Sequence, residues 1–550
     1  MTSNAAAKTA VIGGGGFVLL TLATGQFVMT LDSSVMNVSI ATVARDLGTT
    51  VTGIQTAITL YTLVMACLMI TGGKIGSIIG RRRAFSIGCV IYGAGSLTTA
   101  VAPSVTVLIL GWSFLEGIGA ALIMPAIVAL VAGNFARKDR PKAYGLIAAA
   151  GAMAVAVGPL IGGLVTTYAS WRYVFVGEVV IVIAILVMAR RVQDAAPSRR
   201  PHLDLVGAFL SAGGLALAVY GVLRSAEWGW VLPKEGRPSW LGLSPTIWLI
   251  IGGSLVLWLF FRWQSRLERV GKEPLVETAL FGNHQLTGGL MAFFFQFLLQ
   301  SGIFFIIPLF LSVVLGLSAL ATGVRVLPLS VGLLIAAPGI PKMRPNASPR
   351  RVVRMGLLLI LAGIIALMAG IDLDANAAVV SIPMLLVGLG MGSLASQLGA
   401  VTVSSVSDDK SPEVGGLQNT ATNLGASLGT ALAGSVMIAV LTTSFIAGIE
   451  QNPNVPQSVK SKASVELAGG IPFVSDTDLE KAMTNAGQSQ EVTKAAVDEN
   501  RKARIDGLHA ALAVLALLAC VALFFTQRIP SAALTAGAAE VATPALAEGP

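Results

Sequence analysis

The sequence contains few charged residues: Asp, Glu, Lys and Arg make up only 12% of its 550 residues. Soluble domains carry about 25%, so this chain has too little polar side chain to cover a water-facing surface. Disorder is also excluded, because 54% of the residues are apolar and disordered segments are poor in apolar residues and rich in charge. The composition therefore predicts a protein that lies mostly within a lipid bilayer.

Cysteine and histidine are equally scarce, with three residues of each. Cys67, Cys89 and Cys520 lie in apolar runs, where a thiol behaves as a small packing residue. The sequence has no Cys/His spacing typical of a metal site, no Gly-x-x-x-x-Gly-Lys-Ser/Thr phosphate loop and no motif that joins a nucleophile to a base. We therefore expect no metal, no bound cofactor and no enzymatic activity.

Apolar stretches long enough to cross a bilayer make up most of the chain. A helix needs roughly 20 mostly apolar residues to span a hydrocarbon core of about 30 Å. Counting such stretches predicts an all-α membrane protein with fourteen transmembrane helices, at 12–41, 53–76, 84–102, 105–132, 143–168, 172–190, 203–223, 245–262, 285–314, 320–341, 352–371, 378–405, 414–446 and 506–527.

Lys and Arg concentrate in alternate loops between these spans. Clusters such as residues 81–83, 137–142, 190–200, 262–272 and 342–354 follow even-numbered spans, whereas the opposite loops hold only scattered basic residues. Basic loops stay on the cytoplasmic side of a membrane, so both termini are expected in the cytoplasm. Because these basic residues set the orientation of the spans in the membrane, the net charge of +9 does not indicate a nucleic-acid partner.

One loop is long. Residues 447–505 lie between spans 13 and 14, and the topology places them outside the cell. Ser475 and Asp478 have the spacing of a helix N-cap and its third position, which predicts a short helix there. This loop is interpreted as a solvated cap, with a partner-binding module as the alternative, and the small-residue tail 531–550 is expected to be disordered.

The turn between spans 2 and 3 carries a recognisable motif, GKIGSIIGRRR over residues 73–83. It resembles the Gly-x-x-x-Asp-x-x-Gly-Arg-Lys/Arg gating loop of the major facilitator superfamily at Gly73, Gly80, Arg81 and Arg82. The glycines allow two helices and a tight turn to approach closely. Ser77 departs from the pattern, because the family usually has Asp there, so the charged part of the gate is expected to be weaker or to come from elsewhere.

Span 5 ends in a second motif, Gly158, Pro159, Leu160, Ile161, Gly162 and Gly163. It resembles the motif associated with the antiporters of the same superfamily, which implies an exporter. Small residues at these spacings permit close helix packing, and Pro159 favours a bend. A packing motif with no bearing on the direction of transport is the alternative.

Further stretches are similar to the 14-span drug:proton antiporter branch of the superfamily, namely LDSSVMNV from Leu31, WRYVF from Trp171, DLVG from Asp204, GVRVLP from Gly323 and NLGASLGT from Asn423. The resemblance implies two six-helix bundles, residues 1–190 and 284–530, joined by two inserted spans within 191–283. It also implies a monomer in the bacterial cytoplasmic membrane that uses a proton gradient and alternating access to carry small molecules.

Ionisable residues within spans are costly and therefore mark functional sites. Asp32 of span 1 is predicted to accept protons or to contact a cationic substrate, as the resemblance implies, unless it only bonds neighbours such as Ser33 and Ser34. Glu116 of span 4 has no basic residue nearby in sequence, and burial favours its neutral form, so it is predicted to couple protons or else to pack as a neutral acid. Glu178 lies six residues after Arg172 and is predicted to be structural.

Substrate contacts are predicted from polar and aromatic residues at helical spacing. Span 9 presents Phe293, Gln296, Phe297, Gln300 and Phe304 at three- and four-residue steps, and span 13 presents Asn419 and Asn423. Aromatic surface with amide groups suits amphiphilic or aromatic cations, although phenylalanines on such a face also commonly contact lipid.

The predicted function is proton-coupled export of small amphiphilic or cationic compounds, as in multidrug efflux. Export of an endogenous metabolite, lipid or siderophore is an alternative that the sequence does not separate from it. A membrane sensor that transports nothing is an alternative of another class.

Overall fold

The computed structural model describes residues 3–135, 140–194, 203–234, 236–344, 346–406, 411–453, 455–457, 460 and 473–532. Long helices dominate this part of the chain, because a helix satisfies its own backbone hydrogen bonds where lipid offers none. They are α1 Ser3–Asp46, α2 Val51–Ile79, α3 Arg81–Ala100, α4 Val105–Leu108, α5 Gly117–Asn134, α6 Arg140–Tyr168, α7 Arg172–Ala189, α8 Leu205–Trp228, α9 Pro245–Arg269, α10 His284–Leu309, α11 Ala319–Met343, α12 Pro349–Gly370, α13 Ser381–Val403, α14 Ser411–Gln451, α15 Asp476–Asn485 and α16 Gln490–Phe525.

Two helices continue in π-helical geometry. The π segment Ile109–Glu116 joins α4 to α5 as one span, and Phe310–Val314 extends α10. Within the described residues, thirteen segments are long and apolar enough to cross a membrane. The remaining predicted span is α3, a 20-residue helix that begins with three arginines and is therefore less apolar. The chain is a multi-pass membrane protein.

Several sequence-based boundaries need correction. Helix α1 extends beyond both ends of the predicted span 12–41, and α14 continues to Gln451, past the predicted end at 446. Helix α16 already begins at Gln490, so the connection between the last two spans is shorter than the predicted loop 447–505. The predicted short helix is present as α15, and the hydroxyl of Ser475 accepts a hydrogen bond from the backbone N–H of Asp478 (3.2 Å). Most of the tail 531–550 lies outside the described residues.

The helices form two sets that repeat the same packing. Helix α1 packs on α6 as α10 packs on α14, and α3 packs on α5 as α12 packs on α13. The two sets meet where α2 packs on α14 and where α6 packs on α11. Helices α8 and α9 pack on each other, and α8 also contacts both α2 and α14. This is the arrangement of two six-helix bundles with two inserted helices.

Consecutive spans run in opposite directions, so the molecule has two ends. We call the end with the arginine-rich turns, such as residues 81–83 and 190–191, the basic end, and the opposite end the far end. The first residues of α2, α7 and α11 and the last residues of α1 and α6 lie at the far end.

Candidate functional site

The turn between α2 and α3 holds the gating-loop motif. Gly80 adopts a φ of 102°, which favours glycine, and a Cβ at this position would lie 2.7 Å from a carboxylate oxygen of Asp194. That carboxylate accepts the backbone N–H groups of Arg81 (3.1 Å) and Arg82 (3.2 Å) at the start of α3. An acid is favourable here, because the first N–H groups of a helix are unpaired and carry partial positive charge.

Asp194 thus brings a carboxylate to the turn in which Ser77 replaces the usual acid. The hydroxyl of Ser77 itself donates to the carbonyl of Lys74 (2.7 Å), one turn earlier in the same helix. Asp194 follows α7 and is distant from this turn in sequence, so the loop motif gave no signal for it. Gly73 packs against Pro125 of α5, as expected for a close helix approach.

The antiporter-like motif lies where α6 meets other helices near the far end. Gly158 and Gly162 face Ser34 and Val35 of α1. Gly163 faces the other bundle: a Cβ there would lie 2.6 Å from the carbonyl oxygen of Ala319 on α11.

Backbone atoms of α6 and α11 approach each other closely, and a side-chain hydroxyl adds a hydrogen bond. Gly323 of α11 lies against the carbonyl oxygen of Pro159, and the backbone N–H of Leu320 donates to the hydroxyl of Thr167 (3.1 Å). The motif therefore joins the two bundles at the far end in this conformation.

Helices α2 and α14 make the corresponding contact. The buried amide of Gln55 donates to the carbonyl of Thr430 (3.2 Å), and the hydroxyl of Ser427 donates to the carbonyl of Thr59 (2.9 Å). Gly434 lies directly against the Gln55 side chain. Both pairs of facing helices thus close the far end between the bundles.

Three buried carboxylates meet inside the N-terminal bundle. Asp32 of α1, Glu116 at the end of the π segment and Glu178 of α7 each offer an oxygen, and these oxygens all lie within 4.8 Å of one another. Their exposed fractions are 1%, 0% and 1%. We call these three residues the acid cluster. Among the residues that the structure describes, no Lys or Arg forms an ion pair with it.

Neutral donors surround the acid cluster. The indole N–H of Trp112 donates to both oxygens of Asp32 (2.8 Å each). Hydroxyl groups of α3 donate hydrogen bonds to the other two acids. Thr99 donates to Glu116 (3.3 Å), and Ser96 (3.1 Å) and Tyr92 (3.3 Å) donate to Glu178. One oxygen of Glu116 and one of Glu178 are buried without a hydrogen-bond partner. The cluster therefore has unused capacity to bind a proton or a small cation.

The π segment orients part of this cluster. It carries Trp112, whose ring stacks on Tyr61 of α2 with centroids 5.1 Å apart, and Ser113, whose hydroxyl donates to the carbonyl of Ala57 (2.8 Å). Ser113 thus fixes the π segment to α2. Short π segments are frequent at functional sites.

Glu178 does not pair with Arg172, the basic residue nearest to it in sequence. The Arg172 guanidinium pairs with Asp46 at the end of α1 and donates to the carbonyl of Ala102 (2.9 Å). Glu178 is turned inward to Tyr92 and Ser96 instead. The sequence analysis did not predict that Glu178 belongs to the acid cluster. The one signal in the sequence was the presence of an acid within an apolar span. The alternative bonding of Asp32 to Ser33 or Ser34 is replaced by its bonds to Trp112.

The aromatic row of α10, Phe293, Phe297, Gln300 and Phe304, lies on one side of that helix. Phe294 and Leu298 lie against α14, and Phe295 stacks on Phe525 of α16, so these contacts use other sides of α10. Phe293 and Phe304 are buried in this conformation. Gln296 lies at the edge of this row, 4% exposed, with a carbonyl oxygen that has no hydrogen-bond partner.

Asn419 and Asn423 belong to one row of α14 with Gly415 and Ser427, at steps of four residues. Gly415 lies against Val128 of α5, and Ser427 bonds to α2, so this row faces the N-terminal bundle. The Asn423 amide donates to the carbonyl of Asn419 (2.9 Å) within the helix. Helix α1, which carries Asp32, also contacts α10.

Comparison with known proteins identifies relatives over most of the chain. It is 31% identical over 428 residues to the Puromycin resistance protein pur8 of Streptomyces alboniger, covering 76% of this chain and 81% of that protein. It is 28% identical over 461 residues to the Probable actinorhodin transporter of Streptomyces coelicolor, covering 82% and 75%. It is 24% identical over 455 residues to the Multidrug resistance protein Stp of Mycobacterium tuberculosis, covering 82% and 80%.

Solved structures share the fold at low sequence identity. A peptide transporter POT in complex with sulfate has a TM-score of 0.57 at 14% identity, covering 93% of this chain and 96% of that one. An inward-facing bacterial homolog of the human lysosomal transporter Spinster has a TM-score of 0.56 at 14% identity, covering 94% and 98%. The profile of the Major Facilitator Superfamily matches residues 22–430. The chain belongs to the major facilitator superfamily.

Proposed function

We propose that this protein exports small amphiphilic or cationic compounds across the bacterial cytoplasmic membrane in exchange for protons. Its relatives include proteins named for resistance to puromycin, for multidrug resistance and for export of tetracenomycin C. In this proposal the basic end is cytoplasmic and the far end is outside, in keeping with the distribution of Lys and Arg.

The observation that carries the proposal is the acid cluster. Three negative charges within 4.8 Å of one another, buried and without a basic partner, would repel strongly and would each lose their hydration. The cluster is stable only when positive charge accompanies the carboxylates, and protons are the simplest source. A change in exposure to water would then change the number of protons held, which is what coupling requires.

The position of the cluster suits exchange with the outside. Glu178 is six residues from the start of α7, or about 9 Å along a helix that rises 1.5 Å per residue, so it lies in the half nearer the far end. When the α6–α11 and α2–α14 contacts separate, water from outside reaches the cluster, protons bind and substrate leaves. Return to the present conformation carries those protons inward, and the next substrate molecule binds as they leave to the cytoplasm.

A metal or sodium ion is the alternative source of positive charge. The three oxygens are near enough to one another to hold a cation, although the sequence predicts no metal site. We favour protons because one oxygen of Glu116 and one of Glu178 have no donor and can each take a proton alone, whereas a metal ion needs several oxygens at once and the indole N–H of Trp112 already bonds both oxygens of Asp32.

Transport into everted membrane vesicles tests the proposal. Respiration acidifies the vesicle lumen, and uptake of ethidium, a planar aromatic cation, then reports export. We expect uptake to stop when an ionophore that exchanges K⁺ for H⁺ collapses the pH gradient, and to persist without added Na⁺ or divalent ions. Uptake that is indifferent to the gradient would remove the antiport proposal, and uptake that needs Na⁺ would replace the proton by that ion.

A second candidate substrate class is an aromatic natural product made by the host cell. Relatives include a Probable actinorhodin transporter and a Cephamycin export protein, and α10 carries Phe293, Phe297 and Phe304 on one side, aromatic side chains that can stack on fused rings when the helices separate. In the vesicle assay, a neutral polycyclic aromatic compound that blocks ethidium uptake competitively would favour this class. No competition would leave cationic compounds as the substrates.

A further inference from the structure

The two inserted helices form an open groove near the basic end, apart from the acid cluster and from the contacts between the bundles. Its volume is about 580 Å³, and it is lined by Leu210 of α8 and by Leu259, Arg262, Trp263, Arg266, Arg269 and Val270 on and just after α9. Neither the gating motifs nor the predicted substrate residues lie in it.

Three arginines concentrate positive charge in this groove. Arg262, Arg266 and Arg269 are four and three residues apart, so they project from one side of α9, and all three are exposed. Arg262 lies over the ring of Trp258 (5.2 Å) and Arg266 over the ring of Trp263 (6.0 Å). Among the described residues, none of the three arginines forms an ion pair with an acid.

The nearby acids already have other partners. The carboxylate of Asp204 accepts from the indole of Trp263 (3.0 Å), the amide of Gln264 (2.8 Å) and the backbone of Gly207 (2.9 Å). The carboxylate of Glu268 accepts from the backbone and the hydroxyl of Thr278 (2.5 Å each). The arginines therefore keep their charge available for an external anion.

The surface that continues from the groove toward the middle of the membrane is apolar. Exposed side chains of α9 include Leu255, Trp258, Leu259 and Phe261, and α8 adds Phe209. In a membrane protein, exposed aliphatic and aromatic side chains on spanning helices face lipid tails. An occupant with an anionic head and apolar chains would therefore match the whole surface, whereas a free anion would match only the arginines.

We propose that this groove binds an anionic phospholipid. The headgroup phosphate lies between Arg262, Arg266 and Arg269, and the acyl chains lie along the apolar side chains of α8 and α9. Basic pockets between helices at a membrane surface bind anionic headgroups in this way, and guanidinium groups match phosphate geometry. Because α8 also contacts α2 and α14, a lipid held here stabilises the inserted pair beside a contact between the bundles.

The full-length protein in phosphatidylcholine vesicles allows a direct test through Trp263. Brominated phosphatidylglycerol quenches the fluorescence of nearby tryptophans, and subtracting the signal of W263F isolates this residue. In R262Q/R266Q/R269Q we expect half-quenching to need about a tenfold higher fraction of brominated phosphatidylglycerol than in the unmodified protein. The control variant is K342Q/R344Q/R351Q, which lacks three positive charges at the same end of other helices. Its fluorescence should be quenched to the same extent as that of the unmodified protein.

Two further arms separate the possible occupants. Brominated phosphatidylcholine should quench the unmodified protein and R262Q/R266Q/R269Q equally, and inorganic phosphate should not displace the anionic lipid. Equal quenching by the two lipids, or no effect of the three substitutions in a variant that keeps its unfolding temperature in phosphatidylcholine, would overturn the proposal. Displacement by inorganic phosphate would assign the groove to a free anion instead.

Discussion

At the scale of single residues, the acid cluster is distinguished by its partners. Its three carboxylates receive hydrogen bonds from an indole and from hydroxyls, whereas Asp46 at the end of α1 forms an ion pair with Arg172. A carboxylate that is bonded to neutral groups can gain or lose a proton without breaking an ion pair. Glu178 shares this environment with Asp32 and Glu116, which is why we propose a coupling role for it, although its position in the sequence predicted a structural one.

Glu178→Gln tests whether that residue takes part in coupling. The amide keeps the volume and can still bond to Ser96 and Tyr92, but it cannot exchange a proton. We expect transport driven by the pH gradient to fall about tenfold or more, while binding of ethidium and the unfolding temperature change little. The matched control is Glu450→Gln at the exposed end of α14. A Glu178→Gln protein with full gradient-driven transport would return Glu178 to a structural role.

Asp194→Ala tests the cap on α3. Removing the carboxylate leaves the N–H groups of Arg81 and Arg82 without their acceptor, so we expect a loss of about 1 kcal/mol in stability. A lower thermal unfolding midpoint in detergent would show it. Asp374→Ala, in the exposed turn after α12, is the control and should leave the midpoint in place. Equal midpoints for the two variants would mean that Asp194 does not stabilise this turn.

Sequence predicted some of these residues for a physical reason. Asp32 and Glu116 are charged residues within apolar runs, and the cost of burying charge marks them without any structure. Asp194, Ser96 and Thr99 give no such signal, because short polar residues are common in loops and helices. Their roles depend on which helices pack together, and that information is not local.

At the scale of elements, the glycine motifs act as contact surfaces between helices. The periodic apolar pattern predicted nearly every span, and the motif around Gly158 correctly indicated close packing. The pattern did not reveal that Gly163 and Gly323 lie against the backbone of the opposite bundle, nor that Ile109–Glu116 is π-helical. Both features depend on neighbours that are distant in sequence.

Gly323→Ala tests the contact between α6 and α11. A methyl group there would press on the carbonyl of Pro159 and should favour conformations in which the far end is open. With the native cysteines replaced, cross-linking between cysteines introduced at Thr167 and Leu320 should fall. Gly339→Ala on the same helix is the control, because a Cβ there meets nothing within 4 Å. Unchanged cross-linking in Gly323→Ala would show that this contact does not depend on the glycine.

At the scale of the whole molecule, the few charged residues fall into two groups with different positions. The arginine-rich turns lie at one end, where basic residues fix topology, while three acids remain within one bundle. The repeated packing of α1 on α6 and of α10 on α14 shows two related halves, but within the part of the chain that the structure describes such an acid cluster occurs in the first half only. We infer that the first bundle carries protons and that the α10 and α14 surfaces of the second contact substrate.

The most direct test is proton movement driven by substrate. Purified protein is reconstituted in liposomes that contain a pH-sensitive dye, and an ethidium gradient is imposed without any initial pH difference. We expect protons to move against the direction of ethidium in the unmodified protein and in Glu450→Gln, and no proton movement in Glu116→Gln or Glu178→Gln. Ethidium flux without proton movement in the unmodified protein, or full proton movement in both cluster variants, would contradict coupling through the acid cluster.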